Sequence, residues 1–330
     1  MMTIKSLPKA ELHVHIEGTI TPELARKLAD RNGITLPQAL NGLSDRYHWD
    51  NFNHFLDGFD LVAGCIRTGL DYEDVVYDYL RRCAAEGVIY VEFFGSQDHG
   101  EQAGLNYPEM VGHLAAAIDR AEADFGIICR IIMTCIRHLG PERAVIVAQT
   151  TVDHPHPYVV GFGMAGDEKL HSCLDFKPAF DIVAATGLPC TAHAGEVVGP
   201  ESITDALDNL PITRIGHGVR IVEDPAVLKR AIDAKIAFEV CPTSNIALKV
   251  FPTMAEHSLP KLLEAGCIVT LNSDDPPHFG CTIGGEYELA AAQWGLSRAQ
   301  LIGFTKNAIT ASFADSQTKA KLLERLSGQE

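Results

Sequence analysis

The chain has 330 residues, 46% of them hydrophobic, and a formal net charge of −16 at pH 7. That length supports a substantial core, while the acidic balance argues against a phosphate-backbone partner, whose affinity would rest on Lys and Arg. Nine cysteines without a Cys-x-x-Cys spacing fit reduced buried thiols better than a disulfide framework, and no apolar run approaches the roughly 20 residues that span a bilayer.

Strand-like runs alternate with helical patterns along the chain. The first, 10–16, lies within Glu11-Leu12-His13-Val14-His15-Ile16-Glu17-Gly18. Side chains alternate in a strand, so His13 and His15 project together while Leu12, Val14 and Ile16 pack on the other side. Two adjacent imidazoles can hold a divalent metal. Segment 36–83 is too long for a simple connection and carries Trp49, Phe52, Phe55, Phe59, Leu61 and Val62. It reads as inserted helices near the barrel mouth, either a packing subdomain or a substrate lid.

Further strands are predicted at 88–94, 129–135, 159–164, 190–194, 214–218, 237–241 and 268–272. No Gly-x-Gly-x-x-Gly follows the first strand, which argues against a dinucleotide fold. A second His-x-His, His154-Pro155-His156, precedes the fourth strand and reads as a structural loop at the opposite end of the molecule. Gly166 ends that fourth strand, where a missing side chain lets a ligand touch backbone. The fifth strand lies in Thr191-Ala192-His193-Ala194-Gly195-Glu196. Gly199-Pro200-Glu201-Ser202 then opens a helix with Ile203, Ala206, Leu207 and Leu210 as its apolar stripe. The sixth is Arg214-Ile215-Gly216-His217-Gly218, and the eighth runs into Ser273-Asp274-Asp275-Pro276. Eight strands alternating with helices, and extra helices at the C-terminus, predict a (β/α)8 TIM barrel forming one domain over 1–330.

Ionisable residues at the C-terminal ends of successive strands are the placement expected of a barrel active site. His13, His15, His193 and Asp274 offer three nitrogens and one oxygen. That donor set suits one catalytic zinc with a position left for water, whose pKa it lowers towards ~7. Glu196, three residues beyond His193, is placed to serve as a general acid. His217 can accept or orient the proton of the water, and Asp275, beside a candidate ligand, can face a substrate instead. An ester or lactone hydrolase would not need both Glu196 and Asp275, and a cytidine-deaminase-type zinc site would need a Pro-Cys-x-x-Cys.

These motifs, in this order, resemble the adenosine deaminase family of the amidohydrolase superfamily over nearly the whole chain. The resemblance implies one zinc per chain and hydrolytic replacement of a purine 6-amino group by oxygen. By position, it implies that His13, His15, His193 and Asp274 bind zinc. It further implies that Glu196 meets purine N1, His217 handles the attacking water, Asp275 meets N7 and the backbone of Gly166 meets N3. No Lys lies in the fourth strand, which fits one metal rather than a lysine-bridged pair. Glu17 stands where adenosine-specific members carry Asp facing the ribose 5′-hydroxyl, and resembles adenine deaminases there. Val91-Glu92-Phe93-Phe94-Gly95-Ser96 also lacks the Arg common in adenosine deaminases. Gly166 and the Gly216-His217-Gly218 turn look like nucleoside enzymes, and the balance of motifs favours adenosine, with deoxyadenosine, over free adenine or a modified adenine nucleoside. The partner expected is thus a small purine and neither nucleic acid nor membrane. No signal peptide precedes the first strand, so the expected compartment is the cytoplasm. The oligomeric state is left open.

Overall fold

A computed structural model describes residues 4–37, 47, 49 and 52–327. Among them lie eight strands: β1 Lys9–Glu11, β2 Val88–Ser96, β3 Ile128–Ile136, β4 Val159–Ala165, β5 Cys190–Ala194, β6 Ile212–His217, β7 Ala237–Val240 and β8 Ile268–Leu271. They pair in parallel in strict chain order, with helices between them. All of β2 is buried, and so is β3 except at Arg130 and Ile136. Burial on both faces is what near-continuous apolar runs require of a parallel sheet wrapped in helices. The result is a (β/α)8 barrel.

The first strand departs from the sequence expectation. Ladder pairing of 10–16 stops at Glu11, after a register shift at Lys9/Ala10. Beyond it, Val14 and His15 form single bridges to Asp274 and Phe94. The seam with β8 closes through Leu12 N–H on Asn272 Oδ1 at 2.8 Å, Asp274 N–H on His13 O and His15 N–H on Asp274 O, both at 3.1 Å. A side-chain amide thus stands in for a ladder carbonyl, and the irregular backbone sets two histidines beside Asp274. Helix Arg298–Ala311 covers the seam: Thr305 Oγ1 donates to Pro8 O and Asn307 Nδ2 to Val269 O, each at 2.9 Å.

Helix Gly69–Ala85, opened by a Thr68/Asp71 capping box, packs against helix Tyr107–Phe125 in the outer ring. Helix Phe52–Ala63 lies instead across the barrel mouth and sends Phe55, Leu56, Phe59 and Asp60 to the pocket wall. Of the predicted insertion 36–83, positions 38–46, 48, 50 and 51 lie outside the described residues. Inside the barrel, Arg214 on β6 bridges Glu92 on β2 at 2.5 Å and Glu239 on β7 at 2.6 Å, all three fully buried.

Candidate active site

The pocket opens at the C-terminal ends of the strands and is lined by His15, Glu17, Gly166, His193, Glu196, His217, Asp274 and Asp275. His13, His15, His193 and Asp274 each point one donor atom into a space where all four atoms lie within 4.8 Å of one another. His13 Nδ1 is held by Glu239 Oε2 at 2.8 Å, and His193 Nδ1 by Met164 O at 2.8 Å. Each bond gives Nδ1 an acceptor and turns Nε2 towards the cluster, as expected of metal-binding imidazoles. His13 Nε2 is buried with no hydrogen-bond partner, an arrangement that a cation would complete. Burial and the neighbouring imidazoles hold His193 well below its usual range, so it is neutral. The residues present therefore fit a single metal ion.

A second grouping, His13, His217, Cys241 and Asp274, is equally compact. It fits less well. Burial among carboxylates pushes the Cys241 thiol well above its usual range, and its sulfur donates to Glu239 O instead.

Two non-glycine residues here adopt left-handed backbone, His217 at φ 58° and Asp274 at φ 64°. Such conformations cost about 1–3 kcal/mol each and persist where surrounding contacts enforce them. At Gly216 a Cβ would stand 2.8 Å from His13 Cε1 and 3.2 Å from His193 Cγ, so only glycine lets both rings pack. Gly166, at φ 101°, turns the chain where a Cβ would meet His138 Nδ1 at 3.0 Å.

Glu196 and Asp275 share one electrostatic character. Burial, then the Asp274 and Glu168 charges, hold the Glu196 carboxyl well above its usual range. Burial, then Asp274, Glu196 and Glu17, do the same for Asp275. Both are thereby biased towards the protonated form, which can donate a hydrogen bond. His217 is pushed down to about 3, chiefly by burial, and is neutral. Its Nε2 lies 3.6 Å from Glu196 Oε1 and 3.9 Å from Asp274 Oδ2. Glu17 accepts from the Tyr72 hydroxyl at 3.1 Å and lies 3.9 Å from His99 Nδ1.

Several supporting residues escaped the sequence reading. Glu168 accepts from the backbone N–H groups of Gly195, Glu196 (3.2 Å), Val197 (2.8 Å) and Val198 (2.8 Å), and from Ser202 Oγ (2.6 Å). One buried carboxylate thereby moulds the turn that aims Glu196. Ser244 Oγ donates to Asp274 Oδ2 at 2.7 Å. Glu239 did leave a trace, a lone charge in the apolar run Ala237-Phe238-Glu239-Val240, where burial demands a partner. The loop His154-Pro155-His156 lies before β4, outside this pocket.

A (β/α)8 barrel with three imidazoles and a carboxylate converging at its C-terminal mouth defines a metal-dependent hydrolase. The chain belongs to the adenosine deaminase family, whose model, described as adenosine deaminase, matches residues 8–329, and it is a hydrolytic deaminase. Adenine deaminase of Chelativorans sp. (strain BNC1) is 45% identical over 320 residues, covering 97% of this chain and 98% of that one. The crystal structure of adenine deaminase from Arthrobacter aurescens matches with a TM-score of 0.91 at 34% identity, over 97% of this chain and 98% of that one. An amidohydrolase from Burkholderia ambifaria with bound Zn matches at a TM-score of 0.87 and 26% identity, over 97% and 90%. These relatives overturn the expectation of adenosine as substrate. The motifs behind that expectation, Gly166 and the Gly216-His217-Gly218 turn, answer to local needs. Gly216 makes room for two rings and Gly166 takes a positive φ, so neither reports on what purine N9 carries.

Proposed function

We propose that the chain is a zinc-dependent adenine deaminase, converting free adenine and water to hypoxanthine and ammonia. The observation that carries this reading is the buried Glu17 carboxylate, braced by Tyr72 and facing His99, which itself packs against Phe59 of the mouth helix at 5.7 Å between ring centroids. With C6 facing the imidazole cluster, the N9 substituent points away from it towards this wall. Free adenine carries a hydrogen on N9, which a buried carboxylate accepts. A sugar on N9 would have to occupy the space that Glu17, His99 and Phe59 fill.

Zinc held by His13, His15, His193 and Asp274 would act as a Lewis acid that makes water nucleophilic at neutral pH. Glu196 gives its proton to N1 as C6 is attacked, so negative charge does not build up on the ring. Asp275, protonated, donates to N7. The Gly166 backbone N–H donates to N3. His217 orients the attacking water. Over one turnover the water oxygen ends on C6, and its two protons end on N1 and on the departing ammonia. Spectrophotometric assay of adenine, adenosine and deoxyadenosine on the zinc-loaded protein tests the reading. The expected result is a kcat/KM for adenine well above those for both nucleosides, and a preference for adenosine overturns it.

A further inference from the structure

Behind His217 runs a buried chain of hydrogen bonds whose direction is set at its far end. The backbone N–H of Leu259 donates to His257 Nδ1 at 3.0 Å. A backbone N–H can only donate, so His257 Nδ1 is an acceptor and the ring hydrogen sits on Nε2. That Nε2 lies 3.1 Å from Asn245 Oδ1. The amide is thereby turned with its NH2 towards His217 Nδ1, 3.2 Å away. An amide NH2 donates only, so His217 Nδ1 is an acceptor as well, and a neutral ring then carries its hydrogen on Nε2. This is the atom that faces Glu196 and Asp274.

The reverse arrangement fails at each joint. Flipping Asn245 would set its NH2 against His257 Nε2–H. Placing two hydrogens on either imidazole would set N–H against N–H. His217, Asn245 and His257 are all buried, so bulk water cannot relieve a mismatch, which in such a site costs the full desolvation of the unpaired group.

We propose that Asn245 and His257 are positioning residues that lock His217 as its Nε2–H tautomer, making it a hydrogen-bond donor to the attacking oxygen rather than a lone-pair base. The donor role rests on the deaminase reading above, whereas the tautomer stands without it. In this arrangement His217 stabilises negative charge developing on the oxygen, a pre-oriented dipole that needs no rearrangement during attack.

The test is nitrogen-15 NMR of histidine-labelled, zinc-loaded protein, with the His217 and His257 resonances assigned by their loss in His217→Gln and His257→Gln. In the wild type both rings should show a protonated Nε2 and an unprotonated Nδ1. Asn245→Asp replaces the donor by a carboxylate that only accepts, so His217 should switch to the Nδ1–H form. Zinc content should stay unchanged, KM should move little, and kcat should fall about 10²-fold, the loss typical of removing one such donor. A wild-type His217 protonated on Nδ1 overturns the proposal even if Asn245→Asp does not fold. An Asn245→Asp protein with unaltered tautomer and unaltered kcat overturns it too. Adenine against adenosine preference plays no part in either readout, so the substrate assignment and this proposal fail separately.

Discussion

On the proposed mechanism Glu196 must carry a proton where purine N1 would lie, and burial beside Asp274 and Glu168 shifts its carboxyl in that direction. Glu196→Gln keeps the shape and a hydrogen-bond donor but cannot transfer a proton. It should lower kcat by roughly 10²–10⁴-fold while metal content, read by elemental analysis, stays at about one zinc per chain. A zinc-loaded variant with near wild-type turnover would remove Glu196 from the mechanism. The same analysis separates the histidines. His193→Ala takes away a nitrogen donor and should lose the metal, whereas His217→Ala should keep it and lose most activity. Equal metal loss in the two variants would favour the grouping that contains His217 and Cys241. Glu17→Gln should lower kcat/KM for adenine by about 10–150-fold, the equivalent of a charge-assisted bond worth about 1.5–3 kcal/mol.

The turn after β5 shows how one element depends on a side chain from another. Residues 195–198 turn four backbone N–H groups inwards, and the single partner they share is Glu168, beyond β4. Glu168→Ala leaves buried donors without an acceptor, at about 1–3 kcal/mol for each group that finds no other partner. Urea denaturation should show that loss of stability, and kcat should fall with zinc retained, because the turn no longer aims Glu196. Unchanged stability would mean that water satisfies the turn as well as the carboxylate does. Helix Pro200–Asn209, which supplies Ser202 to the same carboxylate, lays Ile203 and Ala206 on the barrel.

Across the barrel, buried charges link opposite walls. Arg214 joins Glu92 to Glu239, and Glu239 in turn holds His13. Removing one member strands the others in a dry interior, so Arg214→Met should destabilise the fold by about 3–5 kcal/mol. Stripping the metal with a chelator should lower the melting temperature, since a ligand present at about 100 times its Kd contributes about 2.7 kcal/mol. A pH dependence follows from Glu286, whose carboxyl burial pushes up to about 7. Its unfolded counterpart ionises near ~4.3, so between these values the folded protein holds a proton that the unfolded chain releases. The contribution of this site to stability is full below ~4.3 and is lost as pH rises through about 7. Denaturation midpoints of wild type should fall across that window, and Glu286→Gln should flatten the fall.

Most of the barrel was legible in the chain because its signals are local. A short apolar run bounded by polar and turn residues defines a strand, a Pro-Glu-Ser opening defines a helix, and both act within a few residues. His13 and His15 announced themselves for that reason, as did the placement of His193, His217 and Asp274 at strand ends. What lay beyond reach depends on contacts distant in sequence. The Glu168 carboxylate meets a turn 27–30 residues away, Glu239 meets His13 across 226 residues, and the Glu17 wall needs Tyr72 and His99 from separate helices. The sequence by itself determined the strand order and the donor atoms offered to a metal, since backbone geometry and side-chain chemistry are properties of each residue. Only closure of the barrel decided which carboxyls lie buried beside one another, which hydrogen-bond partners His217 meets and which side chains wall the pocket. Those depend on burial and on the direction of hydrogen bonds, which exist only once the elements are packed.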